Sequence, residues 1–193
     1  MGTPADALAN LSLDPAEQRW LLELARESIV CAVGGTRLDL GAWGIRFPSE
    51  QLRRSAAVFV TLRTRGQLRG CIGAVRARAP LYLAVADLAA SAALHDPRFA
   101  PLTAAELPDL RIEISLLSPL FPIQPEELKP GEHGLVVSLG FRQGVLLPCV
   151  AAERGWSREK FLDETCVKAG LARDAWKQGA RLEAFTAQVF SES

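Results

Sequence analysis

Residues for several kinds of chemistry are scarce in this sequence. Its 193 residues include two histidines, four cysteines, one methionine and one tyrosine, and aromatic side chains make up 7%. Cys31, Cys71, Cys149 and Cys166 lie far apart with no CxxC or CxxH pair, so with only His95 and His133 to help them a clustered zinc signature cannot be written. Neither a metal nor a cofactor is expected. No apolar run reaches bilayer thickness, since the longest, Leu81 to Leu94, covers 14 residues and contains Asp87. The first ten residues carry Asp6 but no Lys or Arg, and no long apolar stretch follows, which is unlike a secretory signal. These absences predict a cytoplasmic protein with reduced thiols.

Net charge is missing as well, because 22 basic residues meet 22 acidic ones. The balance is uneven along the chain. From Gln51 to Ala86 there is no Asp or Glu, while Arg53, Arg54, Arg63, Arg65, Arg69, Arg76 and Arg78 all fall inside. Such a strip attracts an anionic ligand or nucleic acid, or is balanced in three dimensions by the acidic remainder; the near-neutral whole chain favours the second reading and makes nucleic-acid binding unlikely.

What is present is enough apolar material, 49% of the residues, for a core without staples. Asp14-Pro15-Ala16-Glu17 has the form of a capped helix start, and Leu21, Leu24, Ser28 and Ala32 recur at helical spacing before Gly34-Gly35. Trp43 to Ser49 reads as irregular. Ala57 to Arg63 and Leu68 to Gly73 read as a β-hairpin about Thr64-Arg65-Gly66-Gln67. A second long helix starts at Pro80 and runs until His95-Asp96-Pro97 breaks it. Thr103 to Glu106 is a capping box with room for about a turn, and Leu110 to Leu117 alternates as a half-buried strand. The prolines of Ser118 to Gly131 predict a structured loop. Leu135–Leu139 and Val145–Leu147 predict a hairpin with a five-residue connection, helix follows from about Val150 with a pause at Gly155, and one strand closes the chain from Leu182 to Phe190. Hairpins joined through helices favour an α+β fold with antiparallel sheets flanked by helices.

The hexamer Leu68-Arg69-Gly70-Cys71-Ile72-Gly73 is the richest in chemistry. As a strand it sends Leu68 and Ile72 to the core and places Arg69 and Cys71 on the other side, about 6.6 Å apart. A guanidinium there favours thiolate, while Gly70 and Gly73 clear space for a ligand or another backbone. The other reading is a small core cysteine between glycines that mark a bulge. His133 could act as a base if folding brings it to Cys71, or could simply cap a turn. Glu113, on the polar face of its strand, and Glu153 are acid or base candidates, though surface or paired carboxylates are the commoner outcome. Cys149 falls at a helix start, where the dipole lowers a thiol pKa.

These residues also carry a likeness. The hexamer, HDPRFAP (His95 to Pro101), LRIEISLLSP (Leu110 to Pro119), GEHGLVV (Gly131 to Val137), GVLLPCVAAERGW (Gly144 to Trp156) and FLDETCVKAGL (Phe161 to Leu171) occur in one order. In this the chain resembles the AMMECR family, in its bacterial and archaeal form AmmeMemoRadiSam system protein A. The resemblance implies a single domain over residues 8–190, in two lobes after a tail of residues 1–7, with the hexamer lining a cleft beside a smaller second lobe. It also implies genetic partnership with a Memo-like protein and a radical SAM enzyme, and no established reaction. Cys149 departs from the glutamine that the resemblance leads one to expect there.

The expectation is a cleft protein with Cys71, His133 and Glu113 as catalytic candidates and Arg69, Gly70, Gly73, Cys149 and Glu153 lining the substrate. Its ligand is small or peptide-like and anionic, and the protein acts as an accessory enzyme. The alternative is a non-catalytic interaction or regulatory module that uses the same groove.

Overall fold

The computed structural model describes residues 12–44 and 49–192. The predicted tail, residues 1–7, and the irregular stretch over 45–48 lie outside the described residues. The chain divides into two compact units. Among the described residues, the first is built from residues 12–116 together with the stretch from Gln188, and the second is Leu117–Ala187. Each holds one four-stranded antiparallel sheet with helices and its own core, so the α+β expectation is met.

In the first unit, α1 (Pro15–Val33) starts where the sequence indicates. The Asp14 carboxylate accepts from the Ala16 and Glu17 amides, and Glu17 returns the bond to the Asp14 amide at 2.8 Å. Trp43 belongs to a short helix, α2 (Leu40–Gly44), where irregular chain is predicted; its ring meets Trp20 edge-on at 5.5 Å, so packing supplies the helix that local composition does not. Strands β1 (Ala57–Thr64) and β2 (Gln67–Ala74) form the predicted hairpin. Both of its turn residues have positive φ, 52° at Arg65 and 79° at Gly66, as a two-residue type I′ turn requires. Helix α3 (Leu81–Leu94) and strand β3 (Leu110–Leu117) follow, the latter beginning after a 3₁₀ turn that contains Pro108.

The sheet order is β2-β1-β3-β8, where β8 is Ala187–Ser191. Val58, Val60, Leu62, Ile112 and Ile114 share one core with Leu21, Leu24 and Val85, which fixes the helix-covered face. By alternation, Phe59, Thr61, Glu113 and Ser115 occupy the opposite face. The register shifts between Leu62 and Arg63, so that Gly70 faces Leu62, Leu68 faces Arg63, and Arg69 is the extra residue of a β-bulge. The bulge corrects the predicted pleat. Leu68 is 38% exposed instead of in the core, and Arg69 departs from the side of Cys71.

The second unit orders its strands β4-β7-β5-β6, from β4 (Phe121–Pro122), β5 (Gly134–Leu139), β6 (Arg142–Leu146) and β7 (Arg181–Phe185). The proline-rich segment is therefore more than a loop. Phe121 and Pro122 pair with Ala184 and Glu183, and a 3₁₀ turn covers Pro125–Glu127. As an edge residue, Pro122 has no N–H to offer another strand. The β5–β6 connection is two residues rather than five, because Leu139 pairs directly with Arg142 and Gly140 takes φ 58° at the first loop position, as a type II′ turn needs. Helix α4 (Pro148–Arg154) ends at Gly155 in left-handed conformation, and Ser157 caps α5 (Arg158–Lys168). Phe161, Leu162 and Cys166 point inward as predicted.

The closing strand is two strands. At Thr186, between β7 and β8, the Ser118 hydroxyl accepts the Thr186 amide at 3.0 Å and the Ser118 amide donates to the Thr186 carbonyl, and the chain passes from one sheet to the other. Among the described residues no helix is long and apolar enough to cross a membrane.

Candidate functional site

Cys71 lies in β2 opposite Thr61 of β1, whose hydroxyl donates to the Cys71 sulfur at 3.3 Å. The Cys71 amide donates to Asp96 Oδ2 at 2.8 Å. Asp96 follows His95, the C-cap of α3, and its carboxylate is 2% exposed. That carboxylate also accepts from the Arg98 amide at 3.1 Å, from Nε at 2.9 Å and from Nη2 at 2.6 Å. Arg98 Nη2 reaches the Cys71 carbonyl at 3.3 Å, and the guanidinium lies over the Phe99 ring.

The electrostatics follow from these bonds. Hydrogen bonding from Arg98, and then from the Cys71 and Arg98 amides, holds the Asp96 carboxyl well below the usual carboxylate range against the opposing effect of burial. The Arg98 guanidinium is held in its charged form more firmly than usual, chiefly by Asp96, with the Cys71 side chain adding to the effect. A half-buried thiol thus accepts from the Thr61 hydroxyl, and the Arg98 guanidinium donates to the carbonyl of the same residue.

Arg69 does not take this role. Its Nε donates to Glu106 Oε1 at 2.7 Å, and Nη2 donates to the Pro101 carbonyl and to Glu106 Oε2, each at 3.3 Å. Glu106 is pulled down to about 2, mainly by Arg69 and then by the Thr103 amide. Arg53 likewise pairs with Glu50 and Arg65 with Asp109, so part of the arginine strip is balanced by carboxylates outside it.

The hexamer's glycines make room for this chain itself. A Cβ on Gly70 would lie 2.2 Å from the Ala92 carbonyl oxygen of α3, and one on Gly73 would lie 2.2 Å from the Phe59 ring. Glu113 is half-buried on the sheet face opposite the helices, beside the buried Thr61 and Ser115.

The remaining candidates belong to the second unit. His133 Nδ1 accepts the Lys129 amide at 3.3 Å and its ring meets Phe121 edge-on at 5.7 Å, so it closes the Lys129–His133 turn. Burial lowers its pKa, which keeps the ring neutral. Cys149 is the second residue of α4 and is half-buried, and Glu153 is exposed further along that helix. Among the described residues no group of three or more His, Cys, Asp or Glu is placed to hold a metal ion.

Thr61, Asp96 and Arg98 are the residues that sequence reading missed. Asp96 and Arg98 stood in view within His95-Asp96-Pro97-Arg98, but Pro97 directs attention to the end of the helix rather than to the carboxylate beside it.

The AMMECR1 family profile matches residues 22–190. The chain belongs to the AMMECR1 family. A protein of Methanothermobacter thermautotrophicus is 40% identical over 195 residues, covering 95% of this chain and 97% of its own. A Methanosarcina barkeri protein is 44% identical over 187 residues, covering 93% and 92%. The crystal structure of an uncharacterized protein from Pyrococcus horikoshii superposes with a TM-score of 0.84 at 36% identity, covering 91% of this chain and 92% of the other. The second unit of this AMMECR1-family chain, and the first from Leu22 to Phe190, fall within the matched region, and with them the Cys71, Asp96 and Arg98 cluster.

Proposed function

We propose that this AMMECR1-family protein binds a small or peptide-like anionic ligand on the Cys71 side of its first sheet. Arg98, rather than Arg69, meets the ligand's charge. The observation that carries this reading is the Thr61 hydroxyl donating to the half-buried Cys71 sulfur while the Arg98 guanidinium reaches the carbonyl of the same residue. The proposal extends to an accessory enzyme working beside a Memo-like protein and a radical SAM enzyme, which the motif resemblance supports. In that role Cys71 is the group that would meet the ligand, and Glu113, on the sheet face opposite the helices, is the acid–base candidate of the same unit.

Mild alkylation with mapping by mass tests the thiol. Cys71 is expected to react at least ten times faster than Cys166, whose pKa burial pushes up, and faster than Cys31. Arg98→Gln should slow Cys71 alone. Equal reactivity of Cys71 and Cys31 in the folded protein would remove nucleophilic chemistry.

A second reading, a non-catalytic interaction module on the same face, draws support from Asp96, which already balances the Arg98 charge. Co-purification with the Memo-like or radical SAM protein, abolished by substitutions at Cys71 and Arg98 while thiol reactivity stays ordinary, would favour it.

A further inference from the structure

The first unit carries a pocket of about 390 Å³, lined by none of the residues around Cys71. Its walls are the C-terminal half of α1, the 36–40 segment and α3. That volume is within the range of small-molecule sites, about 300–1,000 Å³. The hydroxyls of two wall residues are committed to backbone, Ser28 donating to the Ala86 carbonyl at 2.7 Å and Thr36 to the Cys31 carbonyl at 3.1 Å. Two wall residues bring full charges of opposite sign, Arg37 and Asp87. Neither has an ion-pair partner among the described residues. Leu38, Leu40 and Ala90 supply apolar lining.

We propose that this pocket binds a small zwitterion, its carboxylate on Arg37, its ammonium on Asp87 and its aliphatic portion against Leu38, Leu40 and Ala90. The charges select among ligand classes. A plain anion would be attracted by Arg37 and repelled by Asp87, and a plain cation the reverse. A neutral apolar molecule would strip water from two charges and return no hydrogen bond to either. A molecule with both charges satisfies both ends at once, and the guanidinium fork is shaped for a carboxylate. This site is independent of the reading of Cys71.

Calorimetric titration of the full chain with leucine and with 5-aminopentanoate, beside pentanoate and pentylammonium, tests the proposal and distinguishes adjacent from separated charges. At least one zwitterion is expected to bind at least tenfold more tightly than both singly charged compounds. Arg37→Gln and Asp87→Asn should each weaken it at least tenfold, while Glu159→Gln, on an exposed residue of the second unit, leaves it unchanged. Both substituted pocket residues are exposed, so the variants keep the fold. The proposal is overturned if neither zwitterion binds, if all four compounds bind alike, or if neither pocket substitution changes the affinity.

Discussion

The Cys71 amide and the Asp96 carboxylate, 25 residues apart, are joined at 2.8 Å and tie the thiol-bearing strand to the chain leaving α3. The same carboxylate holds Arg98 beside the thiol, so one buried group organises both the fold and the candidate site. Asp96→Ala leaves the Cys71 N–H without its acceptor and is expected to cost about 1–3 kcal/mol. Arg98→Ala removes a guanidinium from that carboxylate but leaves it the Cys71 and backbone Arg98 amides, and so should cost less than Asp96→Ala. Urea denaturation measures both, and equal losses would contradict the central place given to Asp96.

Glu106 predicts an acid-dependent loss of stability. Its pKa in the folded chain is lowered from about 4.5 to about 2, so its contribution is complete above the higher value and fades as the pH falls through the lower one. Glu106→Gln should therefore lower the Tm fully at pH 7 and progressively less between about pH 4.5 and about pH 2. A penalty that is constant across this interval would show that Arg69 does not hold the carboxylate as described.

Two hairpin glycines should respond differently to alanine. At Gly70 the new methyl meets the Ala92 carbonyl of a packed helix, and α3 has to shift, at about 3 kcal/mol or more. At Gly66 nothing lies within 4 Å and only the φ of 79° opposes the change, worth about 1 kcal/mol. Denaturation midpoints that reverse this order would mean α3 does not press on β2.

Phe141, in the β5–β6 turn, is fully exposed. Phe141→Ser is expected to change stability by no more than about 0.5 kcal/mol. A larger loss in a thermal melt would show that the ring is packed in solution.

The elements legible in the sequence were those that signal through period or capping chemistry. Strand β3 alternates apolar and polar residues from Leu110 to Leu116, and α1 starts at a capping box that forms as written. What escaped were events that leave no periodic trace. The bulge at Arg69 interrupts a strand whose residues still favour extended chain, so the Arg69 and Cys71 pairing drawn from a regular pleat fails while Cys71 itself stays in place. Leu182 to Phe190 reads as one run because the exchange between Ser118 and Thr186 depends on a residue 68 positions away. The partner of Cys71 was hidden for a similar reason, since proximity of Asp96 to the thiol exists only once α3 has folded back over β2.

Strand β8 closes the first unit's sheet beside β3, and Glu192 just beyond it accepts the Ile112 amide at 3.0 Å and pairs with Arg26 of α1. On the ribosome, a nascent chain therefore exposes the whole 117–187 segment before it has the piece that finishes the earlier sheet. The segment translated in between can mature first, while the part begun earlier waits with an open flank.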